Sequence, residues 1–205
     1  MVGVASERLG SRARSPLGRF FDTFDEAWAD FLAREEPLES FFDTLPDDRA
    51  ATLDVWLIEP SGEVKAAAAE IQRAFAQLGW IEPTPPHFLL HVTIGHGTGA
   101  DPPVRAPFEV AYRRVNCFHE AVIVEVESAG EVERLQQRTP SLPHLTIGYV
   151  REPGPPGELR EALEPLRDAD LGRQRVEELV LCRVPASRWT FLQPWTVLRR
   201  LQLER

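Results

Sequence analysis

The chain has 205 residues, 43% hydrophobic and 27% charged, with a net charge of −9. That length suits one domain or two small lobes around a cleft, and the acidity argues against gripping long duplex nucleic acid through its phosphates, a task for Lys and Arg. Cys117 and Cys182 are too few and too far apart for a disulfide framework; with no signal-peptide pattern and no run near the ~20 apolar residues of a membrane span, a cytoplasmic monomer is expected.

Residues 1 to about 19 carry Arg8, Arg12, Arg14 and Arg19 among Ser, Gly and Pro and read as a basic tail. Phe24, Ala27, Trp28 and Phe31 then fall at helical spacing behind Thr23, a residue suited to capping. This tail and helix form an extension, residues 1–50, ahead of a main domain over 51–205. TLDVWLI from Thr52 is short and β-branched, a strand. Val64, Ala67, Ala68, Ile71, Phe75 and Leu78 stripe a helix that Gly79 ends. The loop IEPTPP leads to a strand HFLLHVTIG, and HGTGADPPVR is read as a loop. PFEVAYRRVNCF and EAVIVEVES are two strands about a turn at His119. Ser128 and Glu131 spell a capping box for a short helix, and HLTIGYV is again a strand. PPGELREALEPLRDADLG is a helix interrupted or ended near Pro165. RVEELVLCRV and TFLQPWTVLRRLQL pair about a turn at Pro185 to Arg188.

The middle of the chain repeats itself. Strand, helix, then a strand bearing His-x-Thr-Ile-Gly runs from about 52 to 95 and again from about 120 to 148, as HVTIG and HLTIG. Two such units can pack about a pseudo-twofold axis and bring equivalent residues face to face. Alternate strand residues share a face, so His91 projects with Thr93 and His144 with Thr146, while Val92, Ile94, Leu145 and Ile147 point to the core. Gly95 and Gly148 are expected on the polar face, leaving room for a ligand beside the backbone.

Two imidazoles at a common centre suit acid–base chemistry. One takes a proton from a nucleophile and the other returns one to a leaving oxygen, and a His pKa near ~6.5 supplies both forms. Two hydroxyls can donate to the non-bridging oxygens of a phosphoryl group. In-line displacement at phosphorus uses groups on opposite sides of it, with no metal or other cofactor required.

The motifs HVTI and HLTI resemble the His-hydrophobic-Thr/Ser-hydrophobic pattern of the 2H phosphoesterase superfamily, and within it the group of 2′-5′ RNA ligases and cyclic phosphodiesterases. The resemblance covers residues 50 to 203. It implies a bilobal, pseudo-twofold α+β fold with two antiparallel sheets lining a central cleft and helices outside. It implies catalysis by His91 as proton donor and His144 as proton acceptor, with phosphate held by Thr93 and Thr146. The substrate class it implies is a 2′,3′-cyclic phosphate on a nucleotide or RNA end, with 2′-5′ ligation as the reverse chemistry. The motif histidines are 144 minus 91, or 53, residues apart, a short gap for that group. A nucleotide-binding module that lost turnover is the alternative, disfavoured by intact His and Thr in both copies. A partner protein acting through the N-terminal helix is a third reading.

Other residues carry less. His87 shares parity with His91 but sits about 13 Å along the strand, His96 has opposite parity, and His119 is expected to face solvent. A zinc site from His87, His91 and His144 lacks a carboxylate or Cys at ligand spacing. Trp189, Phe191 and Trp195 fit cross-strand packing better than base stacking. Arg151 falls on the face opposite His144.

Overall fold

The computed structural model describes residues 21–85, 90–96, 101–103, 106–136 and 142–204. The basic tail, His87 and the side chain of His96 lie outside what is described. Helix α1 (Phe24–Ala33) starts on Thr23, whose hydroxyl accepts from the Glu26 amide while Glu26 reaches back to the Thr23 amide, a reciprocal cap. Strand β1 (Thr52–Ile58) is followed by α2 (Gly62–Phe75), capped by Ser61 and closed by a short 3-10 turn and a left-handed Gly79. The remaining elements are β2 (Ile81–Pro83), β3 (Val92–His96), β4 (Phe108–Phe118), β5 (Ala121–Glu127), α3 (Glu131–Leu135), β6 (His144–Val150), α4 (Pro156–Leu163), β7 (Asp170–Val176), β8 (Glu178–Pro185) and β9 (Thr196–Gln202).

All the strands among the described residues join one antiparallel sheet in the order β7-β4-β5-β6-β3-β1-β8-β9, with β2 added beside β6. The order reads as two four-stranded halves, β7-β4-β5-β6 and β3-β1-β8-β9, related about the β6–β3 junction. The two sheets that the resemblance implies are joined as the halves of this single sheet, and among the described residues one registered pair, Val92 with Leu145, connects them. One face of the sheet carries the main core, where Val92, Leu145, Ile147, Val124 and Leu179 pack with Phe75, Ala68 and Ile71 of α2 and Leu159 and Leu163 of α4. Phe31 and Leu38 of the N-terminal segment belong to the same core. Two smaller clusters cover the other face. One holds Phe41, Phe118, Ile123 and Tyr149, the other Val55, Leu57, Val180 and Cys182, and both receive Phe191 and Trp195.

Several local expectations need correction. Ile81–Pro83, read as loop, forms β2 because its residues find open backbone groups on the far end of β6. The strand anticipated from 87 begins at Val92 in the described chain. The segment from Asp170, read as the tail of a helix, is β7 on the edge beside β4; Gly172 has φ +102 and weakens a helix there. The α3 cap is a left-handed Gly130, with Ser128 Oγ accepting from Val132 and donating to Glu133, so the Ser-x-x-Glu box does not form. His119 is buried, with Nε2 2.7 Å from Asp30 Oδ2. Residues 186–195 form a loop of turns instead of continuing a hairpin. Both cysteines are buried and unbridged. Among the described residues no helix is long and apolar enough to cross a membrane.

Candidate active site

The β3–β6 junction aligns the two repeated motifs against each other. With Val92 opposite Leu145, the antiparallel register sets His91 opposite Thr146 and Thr93 opposite His144. Val92 and Leu145 are wholly buried in the main core, so these four polar residues stand on the other face. The histidines are diagonal neighbours in this register, a relation that separates backbones by roughly 7–8 Å. The structure thus brings all four sequence-selected residues to one patch, each histidine across from the other motif's threonine.

Each motif also bulges at the same place. Trp56 pairs with Gly95 and the next residue, Leu57, pairs with Thr93, leaving Ile94 as the extra residue. On the other half Val122 pairs with Gly148 and Ile123 with Thr146, leaving Ile147 extra. A bulge shifts side-chain parity by one. Ile147 and Gly148 therefore both address the helix side: a Cβ on Gly148 would lie 2.8 Å from Phe75 Cε2. The expectation that Gly148 opens space for a ligand is overturned, since the Phe75 ring occupies that space. The same shift carries Tyr149 to the motif face, where its ring packs on Phe41 with centroids 4.5 Å apart.

The bulges are braced crosswise. Gln72, on the helix of the first repeat, donates to the Ile147 carbonyl of the second motif at 2.8 Å. Gln136, at the end of the second repeat's helix, donates to the Thr93 carbonyl of the first motif at 2.6 Å. Each repeat thereby fixes the other's motif.

The two imidazoles sit in unlike surroundings. His144 is half-buried at the head of β6, with Nδ1 2.7 Å from the Leu142 carbonyl; donation from Nδ1–H leaves Nε2 as the acceptor of the neutral ring. Phe118 meets it edge-on at 5.1 Å. Burial holds its pKa below the usual histidine value, against a smaller upward pull from the Leu142 hydrogen bond. His91 lies just before β3 with the Trp195 ring 4.6 Å away. Opposite His144 on β5 stands Glu125, only 1% exposed and bound by Arg167 at 2.5 Å, Arg114 at 2.7 Å and Asn116 at 2.8 Å. The carboxylate is enclosed by donors, a buried charge that is paired.

Sequence reasoning did not find Tyr149, Gln72, Gln136 or the Trp195 contact. Tyr149 follows the motif directly, but simple alternation puts it on the wrong face unless the bulge is known. The glutamines act from helices whose docking has no local sequence signal. Arg151 lies just past the end of β6, 3.7 Å from Glu82. Among the described residues no group of three His, Cys, Asp or Glu could hold a metal ion.

No protein-family model and no curated protein sequence matches the chain. Solved structures do. TT0787 of Thermus thermophilus is 20% identical with a TM-score of 0.51, covering 74% of this chain and 97% of its own. E. coli LigT complexed with 3′-AMP is 13% identical with a TM-score of 0.51, covering 75% of this chain and 99% of its own. A structure described as a phosphoesterase is 14% identical with a TM-score of 0.50, covering 76% of this chain and 100% of its own. The chain therefore has the fold of these proteins, matching nearly all of their length, plus about a quarter of its own length that they do not match.

Proposed function

We propose that the chain is a phosphodiesterase that opens 2′,3′-cyclic phosphates on nucleotides or RNA ends by two-histidine acid–base catalysis. The observation that carries this reading is the register at the sheet junction, which puts two imidazoles diagonally across from each other with a threonine opposite each. His144 is the base: its ring is held neutral by burial and its Nε2 lone pair is left available. It takes a proton from water as the water oxygen bonds to phosphorus. His91, protonated, gives its proton to the ribose oxygen as the P–O bond of the ring breaks. The Thr93 and Thr146 hydroxyls donate to the non-bridging oxygens, where negative charge grows. After turnover His144 holds the proton that His91 has lost, so exchange with solvent resets the pair. With an RNA 5′-hydroxyl in place of water, and the ribose 3′-oxygen leaving, the same steps join ends through a 2′-5′ bond. Likeness in fold to LigT, solved with 3′-AMP and with phosphate, supports a nucleotide substrate.

The test is hydrolysis of a 2′,3′-cyclic nucleotide in EDTA by wild type, His91→Ala and His144→Ala. Wild-type turnover that drops at least 100-fold in each variant is expected, following the usual 10²–10⁴ worth of a positioned acid or base. Binding without turnover across cyclic and linear substrates supports the non-catalytic nucleotide module instead.

A further inference from the structure

Beside the motif face lies a second, open cleft built largely by parts of the chain outside the repeat. It is lined by Ser40, Phe42 and Asp43 of the N-terminal segment, Glu82 of β2, Arg151 after β6, and Arg188 and Trp189 of the 186–195 loop, among others. Trp189 is the most exposed large hydrophobic residue described, at 57%. Such exposure costs apolar hydration, and this indole is held in place by guanidinium groups, Arg49 at 5.4 Å and Arg188 at 5.5 Å from the ring centroid. Arg188 is anchored in turn by Asp43 and Asp47. The ring is thus fixed, flat and open to solvent at the mouth of a cleft.

The cleft connects to the histidines through a line of rings. His91 to Trp195 is 4.6 Å, Trp195 to Phe191 is 6.3 Å, and Phe191 to Phe42, which lines the cleft, is 6.4 Å. A mononucleotide seated at the histidines cannot cover that span, whereas a short oligonucleotide can. Charge decides which part of it the cleft accepts. Asp43, Glu82 and Glu152 line the cleft together with Arg151 and Arg188, so carboxylates outnumber guanidinium groups and a phosphate is repelled. A neutral base is not. Its face stacks on Trp189, its ring acceptors meet guanidinium donors as guanine O6 and N7 do, and its N–H groups meet carboxylates.

We propose that this cleft is a nucleobase subsite for a residue upstream of the reacting phosphate, with guanine the base that suits its mixed donors and acceptors. The substrate is then the end of an RNA strand in preference to a free cyclic mononucleotide. This inference rests on the function proposed above, and its test separates the two. Rates are compared for a 2′,3′-cyclic mononucleotide and for trinucleotides ending in the same cyclic phosphate, with guanine or uracil at the upstream positions, using wild type, Trp189→Ala and Trp189→Phe. Wild type is expected to favour the guanine trinucleotide over the mononucleotide in kcat/KM by about 10-fold or more, the worth of one base stacked on an aromatic ring, and over the uracil trinucleotide by a smaller factor. Trp189→Ala loses that preference with its mononucleotide rate unchanged, and Trp189→Phe retains most of it. Equal rates for mononucleotide and trinucleotide in wild type, or a preference that survives Trp189→Ala, overturns the subsite. If no substrate turns over, the phosphodiesterase reading fails by itself, and titration of tryptophan fluorescence with a linear guanine trinucleotide decides the subsite. Quenching in wild type that is lost in Trp189→Ala supports it, and no saturable quenching overturns it.

Discussion

Alanine substitutions at the two motif glycines separate a packing role from a ligand-binding role. Gly148 and Gly95 hold equivalent places, each directly after the bulged isoleucine, yet their surroundings differ. A Cβ at Gly148 would lie 2.8 and 3.0 Å from Phe75 Cε2 and Cζ and 3.2 Å from Ile81 Cγ2. Phe75 is completely buried and Ile81 nearly so, so neither can swing into solvent, and forcing a methyl into such a site costs about 1–3 kcal/mol. Loss of glycine's freedom in the unfolded chain returns about 0.4–1 kcal/mol. The net is a destabilisation near ~1–2 kcal/mol, which for a chain of this size lowers Tm by roughly 3–6 °C. At Gly95 the nearest atom among the described residues is the Leu135 carbonyl oxygen at 4.0 Å, an ordinary contact, so only the entropic gain applies and Gly95→Ala is expected to leave Tm level or slightly raised. Thermal unfolding followed by circular dichroism, with urea midpoints as a second measure, reads both. Equal shifts in the two variants refute the packing argument. A normal Tm for Gly148→Ala with a raised KM returns that glycine to the ligand face.

The lowered pKa of His144 has a sign that can be measured. As the base it must be neutral, so the acid-side limb of kcat/KM is expected below pH ~6.5; a limb above that value contradicts the burial argument. The same shift means that the unfolded chain binds a proton on His144 before the folded one does, so stability from this residue is full above pH ~6.5 and declines as pH falls from there toward the folded pKa. Gln136→Ala removes the brace on the Thr93 carbonyl. It is expected to cost about 1 kcal/mol of stability but roughly 10-fold or more in kcat, because small misplacements of a positioned group cost far more in rate than in folding. Activity that falls only in proportion to the unfolded fraction removes Gln136 from that role.

What the sequence made legible was whatever depends on neighbours along the chain. The Thr23 cap, the α2 stripe and the alternation of Val92, Ile94, Leu145 and Ile147 with polar residues are local patterns, and each stands as read. The duplicated motif was also visible, and with it the four residues that the sheet junction gathers. The failures share a cause. Strand β7 is polar on its exposed side and follows a helical segment, so only its pairing with β4 reveals it. The bulges at Ile94 and Ile147 are set by partner strands, which misplaced Gly148 and hid Tyr149. The 186–195 loop brings Trp195 to His91 across the whole breadth of one half-sheet, a distance no sequence spacing encodes.

The crosswise glutamines bear on how such a molecule can be taken apart. A polypeptide holding the first repeat alone would carry its histidine strand without the helix that steadies it, and so would the second. Two copies of one repeat, however, could supply that support to each other around a true twofold axis, as an isologous pair does. Splitting the chain between Pro102 and Pro107 should yield fragments that are inert apart and regain order only when mixed.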